Sequence, residues 1–213
     1  MARDPLAPRK PLLLRVIYWT AAVEAVVGTV FTLLGAGVDL LAPTVVTSMP
    51  VQSFWPALTH SVRLDPAPTT RVAGGGFEVA DVSLTGLGLD ARIWLAAAQL
   101  FQGTMAVAIG VAVMVLTARL LRGDPFGRVL SKTAFATATA IGVGGILSQV
   151  CSGIGGLLAS DQVLSVSGWT IDDKYVVPNS LNEIGWPLPA QGLSIDFWPI
   201  GAALAIVAIG IAF

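Results

Sequence analysis

The sequence predicts an all-α membrane protein, a four-transmembrane-helix bundle carrying a small extracytoplasmic β-containing portion built from two inserts. Three observations predict it. Hydrophobic residues are 54% of the chain and charged residues only 12%, against about 25% charged in an ordinary soluble domain. Mean hydropathy is +0.78. Four apolar runs alternate with polar segments, and each of the first three exceeds the ~20 residues needed to cross a ~30 Å hydrocarbon core.

Residues 1–11, MARDPLAPRKP, are basic and proline-rich and read as a cytoplasmic leader. The first span is expected over residues 12–41. It is too long for the 7–15-residue apolar core of a signal peptide, and it carries Glu24. Tyr18 and Trp19 stand near its inner end, where aromatic belts form. Residues 42–92 make the first extracytoplasmic insert. Its prolines disfavour a long helix, while GFEVADVSLTG has the β-branched content of a strand, so two to four short strands are expected. The second span is residues 93–117, bounded by Arg92 and Trp94 on one side and Arg119 on the other.

Residues 118–132 form a basic cytoplasmic loop. The third span, residues 133–159, is the expected packing hub. Its Ala136, Ala140, Gly144, Ser148, Ser152 and Gly156 recur every four residues and lay a ridge of small side chains along one helix face. Such ridges let helices approach closely in lipid, where no hydrophobic force drives association. Residues 160–194 make the second insert, with QVLSVSGWTI as its expected strand. The fourth span is residues 195–213, with Pro199 in its first turn, where no intrahelical N–H is lost. It ends without a basic anchor, so the natural chain is expected to continue. The inserts lie on one side, and strand pairing between them is expected because an isolated hairpin is marginal in water.

Basic residues cluster at the N-terminus and at Arg119, Arg122, Arg128 and Lys132, whereas the inserts are mainly acidic. The positive-inside rule therefore puts both termini in the cytoplasm of a bacterial plasma membrane and both inserts outside. Net charge of −1 argues against nucleic acid as a partner, because phosphate binding needs a basic surface. Cys151 is the only cysteine and His60 the only histidine, so neither a disulfide nor a bis-histidine haem site can form within the chain. No cofactor is expected to be bound by this chain alone, although a lipid or quinone could sit at a helix interface.

Glu24 invites a functional reading, since an ionisable side chain within a span is costly. It shares a four-residue row with Thr20, Gly28, Thr32 and Ala36 and is expected to face other helices. Gln99, Gln102 and Gln149 are the other intramembrane polar groups. Interhelical hydrogen bonding is the favoured role for all four, with a proton or cation site the alternative for Glu24. Ser148 and Ser152 are expected to pack and not to act as nucleophiles, as no histidine or lysine in the spans could activate them. Asp172, Asp173 and Glu183 read as a solvated acidic surface, and no metal site is expected. Arg119, Arg122 and Arg128 read as topology determinants that attract lipid head groups or dock a cytoplasmic partner.

Two short motifs carry a likeness. RGDPFGRVLSK supplies Gly123, Pro125 and Phe126 in a Gly-x-Pro-Phe loop, and DFWPIG opens the last span with Phe197, Trp198 and Pro199. In these the chain resembles small four-span bacterial membrane proteins, actinobacterial in style, catalogued only as a domain of unknown function. The resemblance implies topology and no activity. The expected function is a non-catalytic accessory subunit of a larger plasma-membrane complex, respiratory or transport, with other membrane subunits and lipids as partners. The alternatives are a sensor or regulator that holds a cytoplasmic protein at residues 118–132 and, more weakly, a small transporter using Glu24.

Overall fold

A computed structural model describes residues 10–55, 73–123, 127–166 and 186–212. Helix α1 (Lys10–Leu41) is a run of Leu, Val and Ala with no interior proline, and Pro43 stops it two residues past its end. Strands β1 (Thr44–Phe54) and β2 (Phe77–Thr85) follow and pair antiparallel, Thr44 opposite Thr85 and Pro50 opposite Val79. Helix α2 (Leu89–Arg122) begins after Gly88. It ends where Gly123 takes a left-handed φ of 71° and its N–H reaches Leu120 O and Arg119 O. Helix α3 (Gly127–Leu164) and helix α4 (Trp198–Ala212) complete the order. By length and composition α1, α2 and α3 can each cross a membrane, and α4 is a shorter apolar helix. The chain is a multi-pass membrane protein.

Among the described residues the four helices of the expected bundle are arranged side by side. Each packs mainly on its neighbour in sequence, α1 on α2, α2 on α3, α3 on α4, so they form an open row. Glycine decides where the row is tight. A Cβ at Gly110 would lie 3.2 Å from Ala25 Cβ, one at Gly144 3.2 Å from Met105 Cγ, and one at Gly145 2.5 Å from Pro199 Cβ. Small residues on both sides let backbones meet, which is how helices gain contact when lipid competes equally for apolar surface. The ridge on α3 behaves as expected only over part of its length. Gly144, Ser148 and Gly156 are buried, Ala140 is half-buried, and Ala136 and Ser152 are exposed. A four-residue step advances ~400° around a helix with 3.6 residues per turn, so the ridge winds off the α2 face.

The sheet sits across one end of the row and packs on α3. Val45, Thr47, Met49 and Val51 alternate into the protein. Val45 joins Leu87, Ala91, Leu95 and Ala159 in one apolar cluster, and Met49 and Val51 join Leu164 in another. The strand tolerates Pro50 because the pairing register breaks immediately after it, and its carbonyl accepts from Ser160 Oγ at 2.7 Å. The second insert does meet the first. Gln52 N–H donates to Leu188 O at 2.8 Å, and Val51 bridges Pro189.

Several expected boundaries move. The strand expected from Gln162 is helical through Leu164, because α3 runs five residues past Ala159. Gln162 links helix ends instead: its Nε2 donates to Asp90 Oδ1 at 3.1 Å and its Oε1 accepts from Gly88 N at 2.9 Å. Most of the expected loop 118–132 is helix, since α2 reaches Arg122 and α3 starts at Gly127. The first insert ends at Gly88 and not at residue 92, and the last helix begins at Trp198 and not at residue 195. His60, Asp172, Asp173 and Glu183 lie outside the described residues.

Candidate functional site

A polar cleft opens between the sheet and the row. Beneath β1, the facing sides of α2 and α3 bring Gln102, Ser148 and Ser152 together, and the extended segment 190–194 closes one flank. The cleft has two adjoining chambers. The larger, about 660 Å³, is also lined by Gln52, Ser53, Glu78 and Gln149. The smaller, about 240 Å³, reaches Asp39, Thr47 and Gln99. Ser48, Gln102, Ser148 and Ser152 line both. The sequence singled out Gln99, Gln102, Gln149, Ser148 and Ser152 separately, and the fold assembles all five here.

Local bonding fixes the walls. Ser148 Oγ donates to Ala98 O at 3.0 Å and lies 3.3 Å from Gln102 Oε1, so α2 and α3 are stitched at the level of the cleft floor. Gln149 grips the backbone of the extended segment from both sides. Its Nε2 donates to Asp196 O at 3.1 Å, and its Oε1 accepts from Asp196 N at 2.6 Å. Leu193 fills the space above Gly153, where a Cβ would overlap it. Ser48 Oγ bonds the Asp81 carboxylate across the strand pair.

Arg92 is the structural residue that the sequence reading missed. It was read as an interface marker, yet it is buried. Its Nε donates to Leu87 O at 2.9 Å, and its Nη1 to Ala42 O at 2.6 Å and Leu40 O at 3.3 Å. One planar cation thus caps the carbonyl end of α1, where the helix dipole favours positive charge, and ties it to the loop before α2. Nothing in a lone arginine near a span end distinguishes such a clamp from an ordinary boundary residue.

Glu24 is not where the sequence placed it. The buried residues of α1 are Ala21, Ala25 and Ala36, whereas Glu24 is exposed. The seam with α2 takes Ala21 and Ala25 early in α1 and Thr32, Gly35 and Ala36 later, so the row that contains Glu24 winds into the seam only beyond Gly28. Gly28 lies beside that seam with open space where a Cβ would stand. Arg119 and Arg122 sit in the last turn of α2. Arg128 begins α3, and its side chain lies outside the described residues. Cys151 is buried and free.

Chemically, the described residues that line the cleft offer carboxylate, amide and hydroxyl oxygens and include no basic side chain. Among the described residues no three His, Cys, Asp or Glu side chains gather closely enough to hold a metal ion. A second, apolar groove of about 490 Å³ runs between α3 and α4, lined by Gly142, Ile146, Ala203 and Val207 among others. Comparison with known proteins finds no matching family model, curated protein or solved structure. The likeness to four-span bacterial proteins therefore rests on its own short motifs.

Proposed function

We propose that this chain is a non-catalytic accessory subunit of a larger bacterial plasma-membrane complex, and that a partner's transmembrane helix covers the outer face of α1. One observation carries the reading: Glu24 faces outward from the end helix of an open row. Glu24 stands five residues, ~8 Å, inside the interface that Trp19 marks, where a carboxylate turned to lipid costs less than the ~2.5–3.5 kcal/mol of a charge at mid-bilayer but is still unfavourable. A partner that hydrogen-bonds the carboxyl removes that cost. The surroundings fit a helix seam. Ile17, Thr20, Glu24, Val27, Phe31 and Leu34 are all exposed, and they recur with the alternating three- and four-residue spacing that helices use to interlock.

The arrangement also supports the expected orientation, with both termini cytoplasmic. The sheet and the segment 186–190 share the end of the row opposite Arg119 and Arg122. α4 counts as the fourth span in this reading. Its 15 residues reach only ~22 Å, and the extended segment before it supplies the rest of the crossing.

A photo-crosslinker at Val27, on the Glu24 face, tests the subunit reading in intact cells. The expected result is one discrete adduct with a membrane protein, recovered at fixed stoichiometry after mild-detergent purification and lost in Glu24→Leu. Lipid adducts alone, together with a monodisperse single chain after purification, would overturn it. A transporter working through Glu24 has less support, since that side chain does not line the cleft.

A further inference from the structure

Aromatic rings stand exposed where the sheet ends. β1 finishes on Phe54, with Trp55 next in the chain, and β2 opens on Phe77 opposite Phe54. Trp55 stacks on Phe77 with ring centroids 5.4 Å apart and planes within 9°, and Phe54 meets Phe77 edge-on at 6.4 Å. Stacking does not hide them: Trp55 is 53% and Phe77 51% exposed, and Val79 beside them is exposed too. Exposed apolar groups gathered in this way mark an interaction surface, and their level in the fold identifies what covers it.

Charge along the helices shows where the membrane surface runs. Residues 93–118 of α2 and 133–160 of α3 carry no charge, and Arg92 and Asp161 bound them at the sheet end. At 1.5 Å per residue each band is ~40 Å long, the thickness of a bilayer with both headgroup layers. The hydrocarbon core takes ~30 Å of that, so the last ~5 Å before Arg92 and Asp161 lies among headgroups. β1 crosses α3 at this level. A Cβ on Gly156 would lie 2.9 Å from Ser48 O and 3.1 Å from Pro50 Cδ, and Ser160 Oγ donates to Pro50 O. Val45 clusters with Ala159, and Met49 and Val51 with Leu164. From Val45 to Val51 the strand advances ~20 Å, while these neighbours on α3 stay within residues 156–164. It therefore runs mainly along the membrane surface and not away from it.

The far end of the strand pair is not lifted off that surface. Ser53 and Glu78, the chain neighbours of Phe54 and Phe77, line the cleft together with Gln102, Ser148 and Gln149, which lie deeper in the uncharged bands. The aromatic end thus stays at the height of the headgroups. Aromatic rings suit that layer, because the apolar ring meets the upper chains while the indole N–H bonds to the headgroups. A soluble partner would have to enter the headgroup layer to reach the same rings, so their level favours lipid.

We propose that Trp55 and Phe77, with Val79 beside them, insert into the headgroup layer of the protein's own membrane and anchor the end of the sheet to phospholipid. This anchoring does not depend on the partner at α1. It is tested on the full chain in phosphatidylcholine nanodiscs, in a variant whose other tryptophans are replaced by Phe so that only Trp55 emits. Lipids brominated just below the headgroup should quench that emission at least ~twofold more than lipids brominated at the chain ends, because tryptophan rings settle at headgroup level. Unchanged circular dichroism confirms that the variant folds. A benzoylphenylalanine crosslinker in place of Phe77, in the otherwise native chain, gives a second measurement that needs no other substitution. Irradiation should yield phospholipid adducts, seen by intact mass, in nanodiscs and in cells. Trp55 emission that neither brominated lipid quenches, or that chain-end bromines quench equally, would overturn the proposal. So would crosslinks in cells to a second protein in place of lipid.

Discussion

The tightest point of the helix row is Gly103 against Thr32, and Gly103→Ala is the sharpest test of the packing argument. The added Cβ would stand 2.6 Å from Thr32 Cβ and closer still to Thr32 Oγ1 and Cγ2. Carbon atoms pack at ~3.5–4.0 Å, so the helices must part by about 1 Å or more. Thr32 cannot swing aside, because both branches face Gly103 and Oγ1 donates to Gly28 O at 2.7 Å. Overpacking of this kind costs about 1–3 kcal/mol. Alanine recovers up to ~1 kcal/mol of helix propensity, which leaves a net loss of about 1–2 kcal/mol. The loss should appear in steric-trapping measurements of folding free energy in bicelles.

A double-mutant cycle with Thr32→Gly isolates the contact. That change removes the opposing atoms, so the double variant should be at least about 1 kcal/mol more stable than the sum of the single effects predicts. Gly28→Ala, one turn earlier on α1 with nothing within 4 Å of its new Cβ, should be neutral or slightly stabilising. A Gly103→Ala protein within about 0.5 kcal/mol of wild type, or an additive cycle, would refute the reasoning.

Arg92→Met strands three carbonyls and should cost about 2–4 kcal/mol, with Arg92→Lys intermediate because one ammonium cannot reproduce the planar fork; hydrogen exchange should quicken at residues 40–46 and 86–90. Ser148→Ala loses a bond to Ala98 O, a carbonyl already engaged within α2, and should cost only about 0.6 kcal/mol in the same bicelle measurement, the usual interhelical value. Gln149→Leu removes both clasps on Asp196 and should loosen residues 193–197 locally. That appears as faster exchange and faster cutting by protease added to the detergent-solubilised chain, with the helical core unchanged.

Much of the fold was legible because lipid imposes simple demands on a sequence. A long, mostly apolar run must be a helix, since only a helix satisfies its own backbone there, and α1, α2 and α3 follow. The strand GFEVADVSLTG was legible for its β-branched residues and lies within β2 and its flanks. β1 was harder to see, because Pro50 argues against a strand until the register break beside it is known. The extra turns of α3 were misread because QVLSV has strand composition, yet Gln162 and Leu164 find partners only in a helix that reaches the sheet. Glu24 was misplaced for a geometric reason. Several rows of small residues run along α1, and which one meets α2 depends on where Gly103 and Gly110 lie on the other helix.

The cleft was illegible as a site because its parts come from five distant stretches, and no single stretch has a motif. Its cause can still be stated from sequence and geometry together. α4 begins partway along α3, since Pro199 fixes its first turn against Gly145, far from the end of α3 that packs on the sheet. The chain between Leu188, paired to β1, and Trp198 must therefore descend without helical bonding. Gln149 supplies partners for both the N–H and the carbonyl of Asp196 along it. A short last helix, β1 at the end of the row and Gln149 on α3 together frame the cleft. An apolar side chain at Ser152, which lines both chambers, would fill the space they share.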